Sequence, residues 1–299
     1  MKRTLIKQGG HGLTFYVPKK WADEKGLKAG DELDVTVEPD QLILKLENVT
    51  KQPKKTEITV DSNNFHVYRS IIGGLYRAGY DEIVVTFKDR KVIPVIQHTL
   101  NSLYGFEMFD IDENSCTLRS IYNEEATDIK IHVVKMMHIV KTMQSILMED
   151  LNNKQYDEKN EMFEYRNNVL KQRDLIARII IKNQLTETKQ FSYYTIAFSL
   201  WNVARNYYQL YNQLDIKTEY SKKNILFFEE VNSFFDHIMK LDRPILLGLQ
   251  EKRPTYDLLR QQGIDIIKNK KETSVIALYG VMILMAIQSA DSSILMINS

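Results

Sequence analysis

Five basic side chains near the start of the chain, Lys2, Arg3, Lys7, Lys19 and Lys20, form the grouping best suited to chemistry, because residues 1 to 22 contain no acid at all. Residues 23 to 50 reverse the pattern, with eight acids against Lys25, Lys28 and Lys45. Positive charge with no carboxylate to neutralise it can take up phosphate oxygens and release their counterions. Doubled by a two-fold axis, the five become about ten cations on one surface. The plainer alternative is that lysines near a chain end are merely solvated. The formal net charge of the 299 residues is only +1, so contact with nucleic acid has to come from this local cluster.

Other chemistry is thin. Cys116 is the only cysteine, which excludes an internal disulfide framework and a multi-thiolate metal site and fits a reducing compartment, the cytoplasm by default. His132 and His138 are six apart and do not share a helix face. Gly73 and Gly74 fall inside a predicted helix with no Lys-Ser/Thr after them, so they are not a phosphate loop. No nucleophile stands with an accompanying base. The expectation is a protein that is not an enzyme and carries no cofactor. Tyr193, Tyr194, Phe198, Trp201, Tyr207, Tyr208 and Tyr211 could stack on bases, but their helical spacing points to a packing seam.

Three textures position these residues. Residues 1 to 50 are rich in glycine and in short β-type runs (Leu13 to Val17, Leu33 to Val37, Leu42 to Leu46), with one helix, Lys19 to Lys25, begun by Pro18 and stopped by Gly26. Fifty such residues cannot bury enough apolar surface to be stable alone, so pairing with a second chain is expected. Residues 51 to 55, KQPKK, read as a linker. Residues 56 to 122 read as a small α+β unit: strands at Glu57 to Val60, Glu82 to Phe87, Phe106 to Ile111 and Cys116 to Ile121, and helices at Phe65 to Ala78 and Val92 to Tyr104.

Residues 123 to 299 take up helical spacing. Ile129, Val133, Met136, Val140, Met143 and Leu147 step by four and three, as do Ile196, Leu200, Val203, Tyr207, Leu210 and Leu214. Six helices are expected, at about 125–152, 157–185, 189–214, 221–241, 248–269 and 272–297, with short connections that make an antiparallel bundle. The apolar run Val275 to Ile287 is thirteen residues long, which suits a core helix better than a membrane span of roughly 20. The start MKRTLIKQGGHG lacks the apolar core of a secretory signal.

The run GLTFYVPKKWADEKGLKAGDELDVTVEPDQLILK, from Gly12 to Lys45, resembles the AbrB/SpoVT swapped-hairpin DNA-binding domain. Pro18, Lys19, Gly26, Leu27, Gly30, Asp31 and Glu32 fall at the matching places. The resemblance implies that two chains interleave their hairpins and that basic side chains from the first strand and the loop before the helix contact double-stranded DNA. Carried over, these are Lys2, Arg3, Lys7, Lys19 and Lys20, with His11 a weaker addition. In some relatives the same fold serves as a dimerising antitoxin.

The order of parts resembles the archaeal phosphate-uptake regulators, in which an AbrB-like head precedes a PhoU-like helical body. Tyr68 to Ile72, Arg77 to Ile83 and Gly105 to Glu107 look like that family's connecting segment. The resemblance implies a homodimeric transcription regulator. The alternative reading is an adaptor whose head only dimerises and whose body binds a phosphate transporter or sensor kinase. PhoU-like bundles hold metals on Glu-x-x-x-Asp motifs, and here those are depleted. Leu200 to Arg205 keeps neither acid, Asn167 to Leu170 leaves Asp174 without a partner four residues earlier, and Asp291 has Ile287 in its partner's place. No metal cluster is expected.

Overall fold

The computed structural model describes residues 2–9, 12–38, 41–45, 53–60, 62, 64–122, 128–183, 187–239, 245–269 and 275–297. It divides into two compact units, Met1–Gln52 and Pro53–Ser299.

The first unit contains two separate antiparallel hairpins and a helix. β1 (Ile6–Gln8) pairs with β2 (Gly12–Thr14), and β3 (Asp34–Glu38) pairs with β4 (Gln41–Lys45). Between the hairpins lies α1 (Lys19–Lys25), which follows Pro18 and closes at Gly26 in the left-handed conformation, where the Leu27 amide donates to the Ala22 carbonyl at 2.9 Å.

The second unit begins with a four-stranded sheet in the order β5-β6-β8-β7. β5 (Lys55–Thr59) runs parallel to β6 (Glu82–Thr86), joined by the crossover helix α2 (Phe65–Arg77). A 3-10 turn at Arg90–Val92 leads into α3 (Ile93–Leu100), and β7 (Phe106–Phe109) and β8 (Ser115–Ser120) complete the sheet antiparallel. Alternate residues of β6 and β8, Ile83, Val85, Cys116 and Leu118, are buried under Tyr68, Ile72, Tyr76 and Ile96. Burial raises the Cys116 thiol to about 11, which makes it a core side chain rather than a nucleophile. Lys54 and Lys55, expected in a linker, belong to the sheet. Lys55 opens β5, and the Lys54 amide and carbonyl bond to Asp81 at 3.0 and 2.7 Å.

The bundle comprises α4 (Ile129–Asn153), α5 (Lys159–Asn183), α6 (Glu187–Gln213), α7 (Lys222–Ile238), α8 (Ile245–Lys268) and α9 (Val275–Ile297). All twelve apolar residues singled out by their spacing in α4 and α6 are buried. α6 packs against α9, α5 and α4, while α7 and α8 pack on α9. The segment Val275–Ile294 of α9 is long and apolar enough to cross a membrane by length and composition, with mean hydropathy 1.6. It runs further than the thirteen-residue stretch, since isolated serines and Asp291 barely lower the average. In this fold it buries Ile276, Ile283, Leu284, Ile287 and Ile294 within the bundle core.

Residues 56–122 and 123–299, read from the sequence as separate domains, have separate apolar cores but form one unit. A charged seam joins α2 to α5. Asp174, with no exposed surface, takes Arg69, Arg77 at 3.3 Å and Arg173 at 2.6 Å. Arg178, equally buried, donates to the Tyr76 and Tyr80 carbonyls at 2.9 and 2.6 Å and to Asp81 at 2.7 Å, and Lys182 joins it on Asp81. Those carbonyls lie at and just past the end of α2, so a cation there faces the negative end of the helix dipole, and the Tyr76 carbonyl takes it in addition to the Gly79 amide at 3.0 Å. Gly79, at φ 79°, lets α5 come close, because a Cβ would stand 3.3 Å from Ile181.

Removing one partner of a buried pair strands the others. Asp174→Asn, leaving three guanidiniums without their carboxylate, should lower unfolding free energy by about 3–5 kcal/mol in chemical denaturation. Asp81 gives a pH signature. Burial pushes its carboxyl up, but the hydrogen bonds from Lys182 and the Lys54 amide and the charges of Lys182 and Arg178 together hold it below its ordinary value of 3.8. Its stabilisation is therefore fully present above 3.8 and is lost as the pH falls from there through the lower folded value. The stability gap between wild type and Asp81→Asn should narrow over that acid range and stay constant between pH 5 and 7.

Candidate nucleic-acid interface

Lys2, Arg3, Lys7, Lys19 and Lys20 are all exposed. Lys2 and Arg3 lie in the stretch before β1, Lys7 sits in β1 opposite Leu13, and Lys19 and Lys20 open α1. His11 lies outside the described residues. The first turn of α1 holds no acid, so its two lysines stand at the helix end whose partial positive charge disfavours them. Lys20 reaches Glu24 at 3.9 Å, a surface pair between well-exposed side chains that offsets little of this. Their position is unfavourable for the helix alone and suits an anionic partner. Among the described residues no hydrogen bond or ion pair joins the strand cations to the helix cations.

Conformational roles fall to other residues of the matched run. Asp31 accepts the Lys28 amide at 2.7 Å and returns its own amide to the Lys28 carbonyl, closing the turn before β3. Gly30 takes a φ of 100° in the same turn.

The apolar residues of this unit, read from the sequence only as strand formers, carry its second property. None of the described residues of Met1–Gln52 is buried. The register Val35↔Leu44 and Val37↔Leu42 puts four aliphatic side chains on one face of the β3–β4 hairpin, with Val37 75% and Leu42 62% exposed. Leu13 is 66% and Tyr16 76% exposed. Two-stranded hairpins with open edges and bare apolar faces are marginal in water and require a covering surface. The signal was present in the alternation of Val35 and Val37, but period-two alternation cannot tell a face covered within the chain from one covered by another chain.

Residues 16–59 match the family described as antidote-toxin recognition MazE, bacterial antitoxin. The match covers α1, both strands of the second hairpin and β5, and it is in keeping with a swapped-hairpin head. Searches of curated proteins and of solved structures find no match to the chain. Fold and comparison together describe a small β-rich amino-terminal unit of antitoxin-like type attached to a large helical body.

An added charge on the hairpin face would meet water in a lone chain and an apolar partner in a pair. Val37→Glu should shift the full chain from dimer towards monomer, a halving of mass by light scattering at micromolar concentration. A wild-type chain that is already monomeric would remove the argument.

Proposed function

We propose that the chain is a cytoplasmic, non-enzymatic DNA-binding transcription regulator, dimeric through its amino-terminal unit. The observation that carries this reading is the exposed, acid-free pair Lys19 and Lys20 on the first turn of α1, in a unit whose aliphatic hairpin face is left exposed. Interleaving the hairpins of two chains would cover Val35, Val37 and Leu42 and double the cations. Lys2, Arg3 and Lys7 would add phosphate contacts from the stretch before and within β1. Backbone contacts of this kind position a protein on the duplex, and base edges then specify sequence.

The finer assignment, a regulator of the phosphate-uptake type with a PhoU-like body that senses a signal or docks a partner, rests on the order of parts and on the connecting segment Arg77 to Ile83. A second reading has one observation in its favour. The antitoxin-family match begins at Tyr16 and omits three of the five cations, as suits a head that dimerises and recognises a protein. The body would then act as an adaptor on a transporter or sensor kinase.

Duplex binding across a salt series separates the two. Each lost phosphate contact lowers the slope of log K against log salt by about 0.9. Lys19→Ala/Lys20→Ala removes four lysines per dimer and should flatten that slope by about 3 to 4. Absence of binding at low salt would overturn DNA binding and favour the adaptor, and an unchanged slope would remove Lys19 and Lys20 from the interface.

A further inference from the structure

Around the α2–α5 seam there is more positive charge than its carboxylates account for. Asp174 is already met by Arg69, Arg77 and Arg173. Arg166, two turns earlier on α5, shares none of it. Its Nη1 donates to the neutral Asn167 side chain at 2.8 Å, and its Nε is buried without a partner. The guanidinium lies 5.9 Å from the Phe163 ring and 5.8 Å from Tyr208. Burial lowers its pKa, Tyr208 partly opposes this, and the like charges of Arg205, Arg173 and Arg69 lower it further. A half-buried cation repelled by three others and short of a counter-charge is costly to hold, and such arrangements gather where a ligand supplies the missing charge.

The same arginine opens on a cleft of about 550 Å³ between α2, α3 and α5. Arg69, Arg166 and Lys171 supply cations there, and Asn101 and Ser102 also line it. Glu164 is the only acid among the described lining residues, so with neutral imidazoles the lining carries three positive charges less one negative, a surplus of two. Phe65, its ring 4.5 Å from that of His98 and tilted to it by 52°, and Phe163 add apolar walls. The volume is that of a small-molecule site. Gly73 keeps the arrangement possible, because a Cβ there would stand 2.1 Å from the Arg69 Nη1, and the guanidinium would have to leave its place between cleft and Asp174.

We propose that this cleft binds a phosphate group, either free phosphate or the headgroup of a small phosphomonoester, with Arg166 and Lys171 as its principal ligands and Arg69 bridging to Asp174. A dianion matches the surplus, guanidinium forks bind tetrahedral oxyanions through paired hydrogen bonds, and the aromatic walls accommodate a carbon portion. Asp174 does not repel it, since three guanidiniums lie on that carboxylate. The site lies within the second unit, where the helices of the sheet meet the bundle, and stands whether or not the amino-terminal unit binds DNA.

Isothermal titration of the full chain at constant ionic strength, with inorganic phosphate, ribose 5-phosphate and succinate, tests the assignment. One saturable site per chain is expected for a phosphate-bearing probe, weakened about tenfold or more in Arg166→Met and in Lys171→Met, since a charge-assisted hydrogen bond is lost in each. Phosphate binding as tightly as the ester identifies the free ion, and ribose 5-phosphate binding tenfold tighter identifies an ester. Arg166→Met keeps the packing on Phe163 and removes a repelled charge, so the melting temperature of the unliganded variant should equal or exceed that of wild type. No saturable heat with either phosphate probe, undiminished binding by both variants, or preference for succinate would overturn the proposal.

Discussion

The carboxylate of Asp174 and the guanidinium of Arg178 are both removed from water, and the larger unit depends on how each is compensated. A bare ion in that position would cost several kcal/mol. Here the compensation crosses between elements. α5 offers Asp174, Arg178 and Lys182 at steps of four, and α2 with its following turn offers Arg69, Arg77 and Asp81 in complementary order. An ion-pair seam of this kind is directional, so it sets the register of α2 on α5, as apolar contact alone would not. The apolar cores on either side remain distinct, and the sheet and bundle share a unit because of the charged surface between them.

Polar groups elsewhere in the bundle follow the same rule on a smaller scale. His132 bonds to Gln172 at 2.7 Å between α4 and α5, and the Tyr207 hydroxyl donates to Asn232 at 2.7 Å between α6 and α7. Tyr211 donates to Asp150 and accepts the Glu158 amide at 3.0 Å, tying the turn between α4 and α5 to α6. The aromatic row on α6 is divided accordingly. Tyr207 and Tyr211 are core, whereas Tyr194 and Phe198 stack against each other on the exposed side. A seam reading therefore holds for the inner residues and not for the outer pair.

The amino-terminal unit poses the opposite problem. Its side chains are almost all in contact with water, including the aliphatic face of β3 and β4, so the unit has little core of its own. That shortage of core and the acid-free cluster of cations arise in the same fifty residues. On the dimeric reading proposed above, a head of this composition gains its core and its concentrated charge in one step.

Local features were legible in the residues themselves. Pro18 and Gly26 bracket α1 at the bounds observed, and the three-and-four spacing of α4 and α6 named core residues correctly, because capping and periodicity depend only on neighbours along the chain. The strand cations were legible for the same reason, as a run without acids. Asp174 was not. Read along one helix it is an acid lacking a partner four residues earlier, and two of its three arginines lie about a hundred residues away on α2. Arg69 and Arg77, eight apart, and the Asp174, Arg178 and Lys182 ladder each mark a charged helix face. Which face meets which is decided only when the crossover helix of the sheet is laid against the bundle. The sequence alone thus determined the elements and the segregated charge, while tertiary packing decided which charges are buried, paired or left over, since desolvation and pairing are properties of surfaces brought together.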